Sequence, residues 1–502
     1  MPLILFLILI FININLYAQT EYQNFLSRLN SFTKPEDKSV IVDSFMNSAQ
    51  SKGIPLIEGD TATFLYRGSK IIFNDKTYDL FSVYMNGDIN FEGSFSLQLK
   101  KISGTDLFAL RHYLEPDARL DYNFVLNGVK IIIDPNNPIK HQWGATGEVS
   151  EVAMPDFIQP TEIIYNADIQ HGRQESFVLT NQINFKTTLH NITVYLPPNY
   201  DLNIAENYPV AYFNDGTFYL SSGSTVNILN NLIAEKKIKP IIAVFVDYSS
   251  GNRFNEYAME TERYINFFNN NLVSYIDSKY RTISNAENRA VIGLSLGANV
   301  SAEIVNSIKG MYKNCGLHSA AIWPNNFRAQ NMIINNDWEI KYYLIWGTYE
   351  PAIMEQGLTV RDSLFAKGNT NFNWGQYHQG HSMGLWRSTT DLFLEYFFPG
   401  ENTSAINENH ESRINNNFNL SQNYPNPFNP ETNITYSINE PGFVNIIVYN
   451  VLGKRIFTLV NSYKNPGSYN QLFNASELSS GNYFYSMQFG SKFVTKKMIL
   501  IK

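Results

Sequence analysis

The sequence predicts a multidomain chain in which a mainly parallel α/β sheet, covered by helices on both faces, stands between two all-β units. Three observations carry this. From Thr61 to Ile133 apolar residues alternate with period two, in short runs separated by turn signals such as Asn86-Gly87-Asp88 and Asn127-Gly128. From Val210 to Phe397 short, near-continuous apolar runs alternate with amphipathic helical stretches, the pattern of strands buried on both faces. From Asn433 onward period-two alternation returns, punctuated by Gly and Asn.

Leu3 to Ile12 is unbroken apolar sequence, too short to span a bilayer, and Leu16-Tyr17-Ala18 reads as a cleavage site. Residues 1–18 are therefore expected to be a signal peptide, with Gln19 opening the mature chain. No Lys or Arg precedes the apolar run, which leaves an N-terminal membrane anchor as the alternative. Residues 19–54 read as helical: Phe25 and Leu29 are four apart, as are Ile41 and Phe45, and Pro35 opens the second segment.

Residues 55–160 are expected to form a β-sandwich. Its strands are Thr61 to Tyr66, Lys70 to Phe73, Leu80 to Met85, Phe95 to Lys100, Leu107 to Tyr113, Leu120 to Leu126 and Val129 to Ile133. Residues 161–400 hold the α/β unit. A hairpin of Ser176 to Asn184 and Thr187 to Leu196 leads in. Strands follow at Val210 to Asn214, Pro240 to Tyr248, Ala290 to Ile292, Leu317 to Trp323, Tyr342 to Trp346 and Phe372 to His378. Helices are expected at Thr225 to Glu235, Glu260 to Lys279, Ala298 to Ile308 and Ser388 to Phe397. Residues 401–420 lack periodicity, are rich in Asn and Glu, and read as a flexible linker. Residues 421–502 form the last unit, with strands at Asn433 to Ile438, Val444 to Val451, Arg455 to Val460, Tyr483 to Phe489 and Phe493 to Ile501.

A hydrophobic share of 44% suits packed cores, and a net charge of −7 gives no reason to expect nucleic acid or an anionic membrane as partner. No stretch beyond the N-terminus is long and apolar enough to span a bilayer. Cys315 is the only cysteine, so no intramolecular disulfide can form and the residue reads as core.

The chemistry centres on Arg289 to Val300. A short apolar strand leads into Gly293-Leu294-Ser295-Leu296-Gly297, and a helix follows. That is the G-x-S-x-G elbow in its strand–turn–helix setting, which lifts a serine hydroxyl clear of the sheet in front of a helix N-terminus. A serine nucleophile needs a base and a group that orients it, and in α/β-hydrolases the chain order is Ser, acid, His. Glu350, just after the Tyr342 to Trp346 strand, is the candidate acid, with Asp362 a weaker alternative. His381 follows Gly380 in the loop beyond the last strand and is the candidate base, while His378 at the strand end reads as structural. Oxyanion donors are expected at the Leu296 N–H and, in the loop after Val210 to Asn214, jointly at Gly216 and Thr217. No metal or cofactor is implied.

Several separate motifs make residues 170 to 398 similar to the esterase family that includes esterase D and the enterochelin esterases. They are Val194-Tyr195-Leu196-Pro197-Pro198-Asn199-Tyr200, Asp215-Gly216, Val246-Asp247, Arg253 with Glu256-Tyr257, Tyr280-Arg281-Thr282, the elbow, and Gly380-His381 followed by Trp386-Arg387. Glu350-Pro351 resembles the enterochelin-esterase branch more than feruloyl esterases. Ala298 and Ser382 depart from the family pattern, which tends to have Gly and Asp there. The resemblance implies an α/β-hydrolase with Ser295, His381 and Glu350 as the triad. It also draws attention to Arg253, Glu256 and Trp386 as substrate contacts, with a structural ion pair as the plainer reading of Arg253 and Glu256.

Pro55-Leu56-Ile57-Glu58-Gly59-Asp60, Gly104-Thr105-Asp106-Leu107 and Asp134-Pro135-Asn136-Asn137-Pro138 make residues 55 to 140 resemble an early-set immunoglobulin-like module, either binding carbohydrate or walling the cleft. Asn423 to Pro430, Val448 to Gly453, Gly481 to Tyr485 and Lys496-Lys497-Met498 resemble the type A sorting domain of the type IX secretion system. That resemblance implies passage through the periplasm and across an outer membrane, the secretion machinery as partner, and a secreted or surface location.

The function expected from these readings is a secreted serine carboxylic-ester hydrolase acting on a small-molecule or polysaccharide-linked ester. The alternatives are an enterochelin-type siderophore esterase, an acyltransferase of the same fold, or a catalytically silent surface binding protein.

Overall fold

The computed structural model describes residues 20–90, 97–142, 147–183, 186–336, 339–369, 371–402, 418–438, 441–451, 454–489 and 492–502. The expected signal peptide, and residues 403–417 of the expected linker, lie outside them. Among the described residues no helix is long and apolar enough to cross a membrane. The chain divides into two units. The first comprises residues 1–85, 95–116 and 124–138; the second comprises 86–94, 117–123 and 139–502.

In the first unit, helices Glu21–Asn30 and Pro35–Lys52 occupy the expected range. Thr20 caps the first of them: its Oγ1 accepts from Gln23 N–H while the Gln23 side chain accepts from Thr20 N–H. Phe25, Leu29, Val42, Phe45 and Met46 share one buried cluster with Leu56, Leu65 and Leu107 of the strands beneath. Those strands, Leu56–Glu58, Thr61–Arg67, Leu107–Tyr113 and Gln98–Lys101, lie side by side in that order, and all three pairings are antiparallel. Lys70–Phe73 and Lys76–Asp79 form a separate hairpin.

The core of the second unit is an eight-stranded sheet. Its strands are β1 (Arg173–Ile183), β2 (Lys186–Leu196), β3 (Val210–Asn214), β4 (Ile242–Val246), β5 (Arg289–Leu294), β6 (Asn314–His318), β7 (Lys341–Gly347) and β8 (Phe372–Tyr377). Their spatial order is β1-β2-β4-β3-β5-β6-β7-β8. The β1/β2 and β2/β4 pairings are antiparallel and the rest parallel. Every residue of β3, β4, β5 and β6 is buried. Alternate residues face opposite cores. Tyr212, Val244, Val291 and Leu317 pack on one side, and Phe213, Phe245, Ile292 and Ile345 on the other with the helices Thr225–Ala234 and Thr390–Phe397. This is the two-faced burial that the continuous apolar runs demand.

Strand β6 stops at His318, five residues short of the expected Trp323, because Ser319 turns into a left-handed conformation (φ 45°). The helix expected over Glu260 to Lys279 is present as Thr261–Asn266 and Val273–Lys279, joined by a wider π turn at Phe267–Leu272. The final helix begins earlier than expected, as Met383–Arg387, and resumes as Thr390–Phe397. Cys315 is buried in β6, and burial raises its thiol pKa well above the ordinary value.

The C-terminal region holds two sheets. One is Phe418–Leu420, Glu431–Ile438 and Gly467–Asn474; the other is Arg455–Lys464, Gly442–Asn450, Gly481–Phe489 and Lys492–Leu500. Ile434, Tyr436, Val444, Ile446 and Tyr485 from the two sheets share a single core. Phe418–Leu420 falls in the range read as linker but pairs with Glu431–Ile438 as an edge strand.

Candidate active site

The six parallel strands, β3 to β8, deliver loops to their carboxyl ends, where the order of strands reverses around β3, the usual place for a ligand in an open α/β sheet. After β5 comes the elbow. Ser295 has φ 54° and ψ −121°, a strained conformation for a residue with a side chain and one that costs about 1–3 kcal/mol. Neighbouring backbone holds it there. Ser295 N–H donates to His318 O (2.9 Å), and Ser295 O accepts from Ala298, Asn299 and Ala321 N–H (3.1–3.2 Å). Gly293 and Gly297 are needed because the turn folds onto itself. A Cβ on Gly293 would sit 2.2 Å from Gly297 O, and one on Gly297 would sit 2.5 Å from Asp215 Oδ2.

Ser295 Oγ lies 2.9 Å from His381 Nε2, and His381 Nδ1 lies 2.6 Å from Glu350 Oε2. With Nδ1–H donating to the carboxylate, Nε2 accepts the serine hydroxyl hydrogen. Glu350 is wholly buried. Its other oxygen accepts from Ser319 Oγ–H (2.7 Å) and Gly347 N–H (2.6 Å). The sequence therefore places its three candidates in one hydrogen-bonded line. Asp362, the weaker alternative acid, pairs instead with its neighbour Arg361. His378 is turned to Asp117, with Nδ1 2.6 Å from Oδ1.

Two of the expected oxyanion donors stand open. Among the described residues, neither Leu296 N–H nor Gly216 N–H has a protein acceptor. Thr217 differs: its N–H and its hydroxyl both donate to Asp247, at 2.7 and 2.6 Å. Gly216 lies hard against β4, where a Cβ would be 2.6 Å from Phe245 C and Val246 N.

Each of the expected substrate contacts has partners within the protein. Arg253 makes a two-pronged ion pair with the buried Asp215, at 2.8 and 2.6 Å, rather than pairing with Glu256. Burial raises the Asp215 pKa and the Arg253 charge opposes that. Glu256 is buried and accepts from Ser249 N–H and Asn252 Nδ2. Trp386 is 2% exposed; its ring meets His381 edge-on at 5.1 Å, and its Nε1–H donates to Ser319 Oγ. Trp386 thus touches the candidate base, and Arg253 ties down the loop before Gly216 through Asp215. The sequence did not single out Ser319, which links Trp386 to Glu350, nor Asp215 as the partner of Arg253. No local pattern marks either, because their partners lie 31 or more residues away.

Residues 186–395 match the family described as "Putative esterase". The chain carries an esterase-family domain. Residues 422–502 match a second family, the secretion system C-terminal sorting domain. The esterase domain shares its fold with the ferric enterobactin esterase of Salmonella typhimurium (15% identity, TM-score 0.57, covering 68% of this chain and 94% of that one). It is similar also to the enterobactin esterase of Shigella flexneri (17% identity, TM-score 0.54, 67% and 92%). An endo-1,4-beta-xylanase/feruloyl esterase of Xylanibacter ruminicola is 30% identical over 172 residues, 32% of this chain. This chain spans only 23% of that relative's length.

Proposed function

We propose that the protein is a serine carboxylic-ester hydrolase in which Ser295, His381 and Glu350 form the catalytic triad. The observation that carries the reading is the unbroken line of hydrogen bonds from Ser295 Oγ through His381 to Glu350. Ser295 Oγ attacks the acyl carbonyl carbon, and its proton passes to His381 Nε2. Glu350 orients the imidazole and offsets the charge it gains. The oxyanion is held by Leu296 N–H and Gly216 N–H, since the Thr217 amide is engaged with Asp247. Collapse expels the alcohol with the proton from His381. Water then attacks the acyl-enzyme by the same route and releases the acid. The test is Ser295→Ala: p-nitrophenyl acetate hydrolysis should vanish with the circular dichroism spectrum unchanged. Undiminished hydrolysis would sink the assignment.

For the substrate, an ester with a planar aromatic part is the reading the surface supports. Phe254 and Trp323 are 50% and 45% exposed, with ring centroids 6.3 Å apart. Each follows closely on a residue that holds the site: Arg253 on Asp215, and Ala321 on Ser295. Exposed aromatic rings favour flat ligands by stacking. An enterobactin-type ester fits this reading better than an acetylated polysaccharide. It is also supported by a fold likeness that reaches 67% of this chain, more than residues 161–400 alone. Trp323→Ala should raise KM for an aromatic-acid ester about 3- to 10-fold, from the worth of one ring pair, and leave a wholly aliphatic ester such as vinyl acetate unaffected. The sorting domain at residues 422–502 supports release from the cell or attachment to its surface through the type IX machinery.

A further inference from the structure

Two short segments that precede the eight-stranded sheet, residues 86–90 and 117–123, belong to the second unit and reach the loop that carries His381. They grip it on both sides of the histidine. His378 O accepts from Arg119 N–H (3.1 Å). Gly380 is pressed on Asp88, where a Cβ would lie 2.3 Å from Asp88 Cγ. Ser382, wholly buried, accepts from Arg119 Nη1 at 3.4 Å and hydrogen-bonds Asp88. Gly384 lies on the guanidinium plane, where a Cβ would be 1.7 Å from Arg119 Nη1. Both glycines are thus fixed by the upstream side chains and not by a turn of their own.

The grip is itself rigid. Arg119 is 1% exposed and is bound by Glu151 through Nε (2.7 Å) and by Asp121 through Nη2 (2.6 Å). Asp88 Oδ2 accepts from Asp121 N–H (2.8 Å). A buried arginine between two carboxylates is weak evidence for stability, because desolvation offsets most of the attraction. What this one does is present its remaining donor to the His381 loop.

We propose that Arg119 and Asp88 are positioning residues for His381: they fix residues 378–384 so that Nε2 faces Ser295 Oγ. The proposal rests on the triad reading above. Neither side chain touches the reacting atoms; both act through the loop backbone and Ser382. The energetic lever is placement, since a shift of about 1 Å in a catalytic group can cost about 10²-fold.

The test uses the full-length protein with Ser382→Ala, which removes only the hydroxyl, and Arg119→Lys, which keeps the charge but loses the planar fork. Three quantities are read: the rate of fluorophosphonate labelling at Ser295, kcat and KM for p-nitrophenyl acetate, and the melting temperature. Both variants should label at least about 10-fold more slowly and lose kcat in step, with KM within about 2-fold of wild type. Ser382→Ala should melt as wild type does. Wild-type labelling rates in both variants, or losses matching the unfolded fraction alone, overturn the proposal. A wild-type protein that does not label at all removes the triad reading and this proposal together.

Discussion

Glu350 has no exposed surface, and both its carboxylate oxygens are engaged, one by His381 and the other by Ser319 and Gly347. Its proposed role as the orienting acid depends on accepting from Nδ1–H. Glu350→Gln keeps the shape but can turn an amide N–H toward the imidazole and stabilise the wrong tautomer. The expected result is a fall in kcat of about 10²–10⁴ with little change in fold, measured by steady-state kinetics beside a thermal melt. Gly293 tests the elbow itself. A methyl group there meets the Gly297 carbonyl at 2.2 Å, and backbone cannot swing aside as a side chain can. Gly293→Ala should destabilise by at least about 1–3 kcal/mol in urea unfolding and abolish activity at temperatures where it stays folded. Ser295, His381 and Glu350 were legible in the sequence because chain order and loop position constrain them. What separates Gly216 from Thr217 was not, because the Thr217 amide is engaged by Asp247, thirty residues on.

At the scale of elements, the His381 loop is shaped by what it leans on. Burial, and then the charge of Asp121, push the Asp88 carboxyl up to about 7, against the pull of Asp121 N–H, Arg119 and Ser382. An unfolded aspartate titrates near 3.9, so the protonated folded carboxyl contributes stability that is complete below about pH 4. That contribution is lost as pH rises through about 7. Asp88→Asn stays neutral throughout. Its melting temperature should therefore gain on that of wild type between about pH 5 and pH 8, and a constant difference across that range would contradict the assigned ionisation. The strands of the eight-stranded sheet were legible from their continuous apolar runs. Gly467–Asn474 was missed because the polar Gln471 sits at an inward position and the apolar Leu472 at an exposed one, so its apolar residues do not alternate. The end of β6 was misplaced because Ala320 to Trp323 is apolar but is used in a turn after Ser319.

At the scale of the whole molecule, three changes of hydrophobic period marked out the blocks. The third block matches a secretion sorting family and the second an esterase family. What period could not supply was that residues 86–90 and 117–123 pack with the second unit, because neither segment differs in pattern from the strands around it. A chain ended after Asn402 should keep its esterase activity but stay inside the cell envelope, protected from protease added to intact cells, whereas the full chain should be in the medium or protease-accessible on the surface.

The central claim is that Ser295 is the nucleophile of an acyl-transfer site. Fluorophosphonate treatment of the purified protein, followed by peptide mapping in a mass spectrometer, tests it most directly. The account predicts a single stoichiometric adduct on the peptide bearing Ser295, with ester hydrolysis lost in proportion to labelling. Hydrolysis that survives full treatment, or an adduct on a different serine, would contradict it.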